Sequence, residues 1–341
     1  MLNTYVQFLE LTKHLGHSDS KDIDNRFLSI SVFPPYVDMK NSIWDKTTIL
    51  HYNFPPEYPF ELHIEIDDND DHILVIRMFL PKDFQDGTNS DEELAKSTED
   101  FINEMLSRLN LSKWKFNDFS VRTVGYTIGF EFDSSKTAVE YFELIKKSNN
   151  NSKFSPVSTI HIPPTIICYH DSGKTYMSLV VEKMLDQYKE LNPHVEKEDV
   201  KGILKFEFGC YKRDINSIIE RYLPDKKDFN YTDRDVCVAV TKKCINELCC
   251  SGDYYKYDEA ISRIKKSNLS QENITLMLEM LELMYDNEIG LYDTTCTLLH
   301  KDYSSEQIEE AISKINELNV NPVVIPDGKK INEIPNLLKL L

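Results

Sequence analysis

The chain has 341 residues, 41% hydrophobic and 28% charged, the make-up of an ordinary globular protein long enough to bury a sizeable core. Its formal net charge of −18 repels DNA at long range, so any phosphate contact rests on local Lys and Arg. No apolar run approaches the ~18 residues of a membrane span, and Met1 to Phe8 lacks the basic start and apolar run of a secretory leader, so a cytoplasmic protein without a membrane partner is expected.

Residues 3–15 carry apolar side chains at Tyr5, Phe8, Leu9 and Leu15, a pattern that fits a short helix or a strand. Pro34-Pro35 breaks the next segment, and Ile49 to Phe54 reads as a strand stopped by Pro55-Pro56. Phe60 to Ile66 alternates, with Phe60, Leu62, Ile64 and Ile66 on one face and Glu61, His63 and Glu65 on the other. The acidic turn at 67–71 and the return from Ile73 to Leu80 complete a predicted hairpin. His and Glu two apart on a strand share a face, which is how some nucleases present metal ligands. It is also what the polar face of an amphipathic strand contains by chance.

Ser90 to Leu109 is predicted helical, with Ser90 as N-cap, acids in the first turn, and Leu94, Phe101, Met105 and Leu109 as the apolar stripe. Val121 to Phe132 follows as a strand. Ser135 to Lys147 follows as a helix with Ala138, Val139, Phe142 and Ile145 inward. Thr165 to Tyr169 reads as a strand, Met177 to Leu191 as a helix, and 202–209 as a returning strand with Lys205 and Glu207 on one face. Tyr169 then sits at a strand end, where scaffolds present reactive side chains. If the two strands are neighbours, Tyr169 and Glu207 face each other.

Asp214 to Leu223 is a short helix and Lys226 to Asp235 a linker. Helices are predicted at 236–248, 257–266, 271–285 and 304–318. Ser304 and Gln307 have the spacing of a capping box, and Asn319 can supply a left-handed stop. The fold class is α+β: an antiparallel sheet covered by helices, with a repeated β-α-β pattern suggested, and an all-α C-terminal region. The expected domains are 1–225 and 236–341. The helical part could be a DNA reader or a plain helical partner domain. Seven scattered cysteines without repeated CxxC spacing are expected to be reduced and mostly buried.

Five stretches occur in a telling order: Ile73 to Lys82 with Gly87-Thr-Asn89, Phe119 to Phe130, Tyr169 to Lys174, Ile203 to Arg213, and Ser304 to Leu338. They resemble, in that order, the "LPK…GxN", "VRRVDIxYNF", tyrosine, "LRFE…KR" and "LxELGxNP…IPN" segments of rolling-circle replication initiators of the filamentous-phage gene II/X-like group. The resemblance covers most of the chain and implies a site-specific nickase. A tyrosine hydroxyl would attack one phosphodiester of an origin hairpin or single strand, stay bonded to the 5′ phosphate and leave a 3′ hydroxyl. By motif position Tyr169 is the nucleophile, Lys174 holds the phosphate, and Glu207 is an acidic site member or a strand anchor. Mg²⁺ or Mn²⁺ would polarise the phosphate, with His63, Glu65 and Glu207 as the candidate ligands. Partners would be origin DNA and host replication proteins. Lys201, Lys205, Lys212, Arg213, Arg221, Lys226 and Lys227 form the candidate basic face.

The chain departs from this pattern at Gly125 and Gly129, where the family motif carries polar or acidic residues, and no glutamate follows Tyr169 as in "YDKxxE". Glycine in place of a carboxylate deletes a ligand. Three readings follow: a nicking initiator, an inactive relative that binds DNA or a replication partner, and an unrelated acidic interaction protein.

Overall fold

The computed structural model describes residues 3–16, 19–20, 23, 27, 33–41, 46–54, 59–81, 90–148, 155–156, 166–170, 176–182, 202–286 and 289–341. For 3–5, 33–41, 46, 53, 135, 155–156, 166–170, 176–182 and 203 the description is of the backbone alone. The architecture is α+β, with an antiparallel sheet, helices packed around it and a helical C-terminal region. Two compact units are each built from separated stretches of chain. The first comprises Asn3–Thr127 and Gly209–Ala239, the second Ile128–Phe208 and Val240–Leu341.

In the first unit, strands β1 (Asn3–Leu15), β2 (Phe33–Asn41), β3 (Lys46–Asn53), β4 (Phe60–Ile66), β5 (His72–Phe79) and the start of β6 (Ser120–Phe132) lie in the order β2-β3-β4-β5-β1-β6. Residues 3–15, whose pattern fitted helix or strand, are thus a strand, and Pro34-Pro35 lies inside β2, where the register shifts between Phe33 and Tyr36. The hairpin β4–β5 forms as predicted, with Leu62 opposite Ile76 and Ile64 opposite Leu74. On β1, Leu9 and Leu11 stand opposite Met78 and Ile76, and all of these are buried. Burial of this apolar face stabilises the sheet. The opposite face carries Glu10, Arg77, Glu61, His63 and Glu65.

Helix α1 (Asp91–Arg108) closes a capping box between Ser90 and Glu93. Its buried stripe is Leu94, Thr98, Ile102, Met105 and Leu106; Phe101, expected inward, is only half-buried. Thr98 can lie inward because its hydroxyl donates to the Leu94 carbonyl at 2.8 Å, which satisfies the polar atom within the helix.

In the second unit β6 ends, and helix α2 (Ser135–Ser148) follows it. Ala138, Phe142 and Ile145 are buried as expected, but Val139 is exposed and Tyr141 and Leu144 take the inner positions. Strands β7 (Ser155–Pro156), β8 (Ile166–His170), β9 (Tyr176–Glu182) and β10 (Gly202–Tyr211) continue the order β6-β10-β9-β8-β7. The helix predicted from Met177 is therefore corrected over 176–182, where β9 pairs antiparallel with β8. The physical reason is the run Leu179-Val180-Val181: branched side chains suit a pleated surface, and a paired neighbour outweighs the weak helical spacing. Residues 183–191 lie outside the described residues.

Helix α3 (Lys212–Tyr222) belongs to the first unit, and α4 (Arg234–Cys249) begins there. In the second unit come α5 (Tyr257–Lys265), α6 (Gln271–Asp286), α7 (Leu291–Leu299) and α8 (Ser305–Glu317), with a two-stranded ribbon of β11 (Tyr254–Tyr255) and β12 (Glu333–Ile334). Ser304 and Gln307 close the expected capping box, and Asn319 adopts a left-handed φ of 55°. The six cysteines whose side chains are described are free thiols, and Cys210, Cys237, Cys244 and Cys249 are buried.

Candidate functional site

The polar face of the first unit gathers one continuous set of charges. Glu10, Arg77 and Glu61 stand in one row across β1, β5 and β4. The Arg77 guanidinium donates to Glu10 Oε2 at 2.8 Å and to Glu61 Oε2 at 3.3 Å. Thr123 on β6 donates to Glu10 Oε1 at 3.2 Å. Arg122 Nε lies 3.7 Å from the same oxygen, and its Nη1 donates to Glu65 Oε1 at 2.8 Å. His63 Nε2 is 3.2 Å from Glu65 Oε1, and the His63 ring lies 5.3 Å from that of His51 on β3.

Strand alternation does place His63 and Glu65 on one face, as the sequence implies. The burial of Glu65 by itself would raise its carboxyl, but the His63 hydrogen bond and the Arg122 charge more than offset this and hold it down to about 2. Glu65 is therefore ionised at neutral pH and is neither a proton donor nor a useful base there. Arg122, lowered by its own burial but raised more by Glu65, stays charged. The Glu65 charge is thus paired with the Arg122 guanidinium. One imidazole and one charge-balanced carboxylate do not make a divalent-ion site by themselves. Among the described residues no group of three or more His, Cys, Asp or Glu is arranged to hold a metal.

Gly125 has a steric role in this unit. A Cβ built there would fall 2.2 Å from Cε1 of Phe8, and the Phe8 ring in turn carries the Arg77 guanidinium 4.8 Å from its centroid. The aromatic ring occupies the space a side chain at 125 would need, so the acid of the initiator motif has no room here.

In the second unit, Glu207 on β10 is half-buried, and its Oε1 is 2.8 Å from Lys205 Nζ on the same strand and face. Tyr169 is on β8, where it pairs with Met177 of β9 and Pro156 of β7. Because β9 lies between β8 and β10, the expectation that Tyr169 and Glu207 sit on neighbouring strands is corrected. The intervening strand occupies the place assigned to a crossover helix. The Tyr169 side chain and the whole of Lys174 lie outside the described residues, as do Lys82 and Gly87-Thr-Asn89. His63 and Glu65 belong to the first unit and Glu207 to the second.

The C-terminal motifs converge on one buried carboxylate. Asp253 accepts from Asn319 Nδ2 at 2.7 Å, from the Asn336 amide at 2.8 Å and from Lys339 Nζ. Asn336, fully buried, donates to the carbonyls of Cys250 and Gly252, both at 3.0 Å. Asn321 donates to those of Cys249 and Gly252 at 2.8 and 3.2 Å. Burial raises the Asp253 carboxyl, yet these donors hold it below its ordinary value. Asn319 to Pro322 and Ile334 to Asn336 are therefore a clamp that satisfies the backbone of the Cys249–Asp253 turn.

Sequence reading missed Glu10, Arg77, Arg122 and Asp253. A usable signal existed for the first two, each a lone charge inside an apolar strand run, Phe8-Leu-Glu10-Leu and Val75-Ile-Arg77-Met. No protein-family model matches the chain, and no curated protein matches it. Among solved structures it is similar to the crystal structure of DynU16, a protein of the dynemicin biosynthetic locus. Identity there is 9%, the match covers 59% of this chain and 86% of that one, and the TM-score of 0.14 is too low to carry an argument.

Proposed function

We propose that the chain is a rolling-circle-type replication initiator that binds origin DNA and cuts one strand through Tyr169. The reading rests on the resemblance itself, five stretches in the initiators' order, whose described parts lie on the following elements. Leu80-Pro81 follows β5, residues 120–130 lie in β6, Tyr169 is in β8, Ile203 to Phe208 is in β10, and the Asn319–Pro322 and Ile334–Asn336 motifs make the Asp253 clamp.

In this reaction the Tyr169 phenol oxygen forms a bond to phosphorus while the bond from phosphorus to the 3′ oxygen breaks. The phenol proton ends on the departing 3′ hydroxyl, and the 5′ phosphate stays esterified to the protein. Lys174 would neutralise the phosphate, and Glu207, paired with Lys205, would anchor β10. Mg²⁺ or Mn²⁺ is the cofactor this chemistry calls for, supplying positive charge at the phosphate.

A second reading is a relative that binds DNA, or a replication partner, without cutting. Two observations favour it: Phe8 fills the place of the motif's acid at Gly125, and Arg122 balances Glu65. Incubation of supercoiled plasmid carrying the cognate origin with Mn²⁺, beside Tyr169→Phe, separates the two. Relaxed circles from the wild type alone, with 5′ phosphate bound to protein, support the initiator. Hairpin binding that weakens steeply with salt, without nicking, supports the second reading. Neither nicking nor binding removes both.

A further inference from the structure

Where helix α2 ends, the second unit forms a cavity of about 420 Å³. Met284, Val323 and Val324, all buried, line it together with Ile289 and Pro326. Its polar side chains are Lys147 near the end of α2, Tyr285 and Asp286 in the last turn of α6, and Asp327. The turn from Pro326 to Lys329 is closed by the Lys329 amide, which donates to the Pro326 carbonyl at 3.1 Å. Within it Asp327 accepts from the Tyr285 phenol, and the Tyr285 ring stacks on Tyr257 with centroids 4.2 Å apart. These contacts fix one rim of the cavity. Lys147 and Asp286 stand on different helices, and neither has a hydrogen-bond or ion-pair partner among the described residues. Two opposite charges thus line one apolar-walled space without meeting.

We infer that this cavity binds a free α-amino acid, its carboxylate on Lys147, its ammonium on Asp286 and Asp327, and an apolar side chain against Met284, Val323 and Val324. The volume falls within the ~300–1,000 Å³ of small-molecule pockets, which pair apolar walls with a few placed polar groups. The charges choose among possible occupants. A simple amine is repelled by Lys147 and leaves it unmatched, and a simple carboxylate meets Asp286 and Asp327 in the same way. A zwitterion gives both signs a charge-assisted hydrogen bond. Asp286 also closes the C-terminal end of α6, where the helix dipole adds partial negative charge and favours an ammonium. The other lining side chains are apolar, so a polar ligand side chain would lose its hydration there without a partner. The inference is independent of DNA cutting.

Calorimetric titration of the full chain with L-leucine tests it, beside isoamylamine, which lacks the carboxylate, and isocaproate, which lacks the ammonium. The expected result is one site per chain that prefers leucine over either fragment by about tenfold or more. Lys147→Met should remove the preference over the amine, and Asp286→Asn should reduce the preference over the acid. Lys147→Arg, which keeps the charge, should retain binding. Lys147 is half-buried and Asp286 exposed, so the fold should tolerate these changes, and circular dichroism melts of each variant check it. Equal binding of leucine and its fragments, unchanged leucine affinity in Lys147→Met, or no binding by the wild type would each overturn the proposal.

Discussion

Arg122 Nη1 donates to Glu65 Oε1 at 2.8 Å, and this bond joins residues 57 positions apart in sequence. It pairs Glu65, one of the candidate metal ligands, with a guanidinium.

The pair gives a pH-dependent stability. The Glu65 carboxyl has an ordinary value of 4.5 and is held at about 2 in the fold. Above pH 4.5 it is ionised in both states and its contribution is complete. Between about 4.5 and about 2 the unfolded chain takes up the proton first, so the contribution is lost as pH falls. Glu65→Gln should cost about 1–2 kcal/mol at pH 7, the partly exposed guanidinium being screened by solvent. It should also flatten the urea-unfolding profile across that window. An unchanged acid limb would show that the pair stabilises nothing.

Phe8 and Gly125 should behave as one packing unit. Gly125→Ala places a methyl where the Phe8 ring lies and is expected to cost about 1–3 kcal/mol. Gly125→Asp, which restores the motif's acid, should cost more because it also buries a charge. Phe8→Ala opens the space, so in a double-mutant cycle Gly125→Ala should become nearly neutral in that background. Strictly additive costs would mean the ring yields without strain.

The Asp253 clamp is expected to be intolerant. Asn336→Ala strips donors from the Cys250 and Gly252 carbonyls and an acceptor from the Leu338 amide, a loss of about 2–3 kcal/mol. Gly252→Ala would put its methyl 2.1 Å from the Val320 carbonyl carbon. Backbone cannot move aside as a side-chain tip can, so this variant should fold poorly. Soluble yield and melting temperature read both outcomes, and a wild-type melt for either variant would demote the clamp to a passive turn.

Lys226 stands among three acids, with Nζ 3.0 Å from Asp233, 3.6 Å from Asp235 and 3.8 Å from Asp91. Its own burial lowers its pKa, but these partners raise it further, so it stays charged. Lys226→Gln leaves the acids facing one another. Its melting temperature should then rise with added NaCl more than the wild type's does, because salt screens the repulsion that exposed Asp91 and Asp235 contribute. Parallel salt responses would show that the lysine is incidental.

Short-range signals in the sequence determined much of the local structure. The β4–β5 hairpin follows from strict alternation around an acidic turn, the capping boxes at Ser90 and Ser304 from side chains that satisfy amides three residues on, and the stop at Asn319 from the tolerance of asparagine for positive φ. Each depends on neighbours within a few residues. The shared face of His63 and Glu65 was legible for the same reason.

Tertiary structure alone decided the partners. Residues 177–182 read as the start of a helix, and pairing with β8 made them β9, which separates Tyr169 from Glu207 in the sheet. Arg122 reaches Glu65, Phe8 fills the space beside Gly125, and Asn336 ties down Gly252 across 57, 117 and 84 residues of chain. Such contacts form when the chain collapses and buries apolar surface, a driving force that carries no record of sequence separation. Chemistry-bearing residues could therefore be picked out one at a time from the sequence, while the groups that balance, crowd or anchor them came only with the fold.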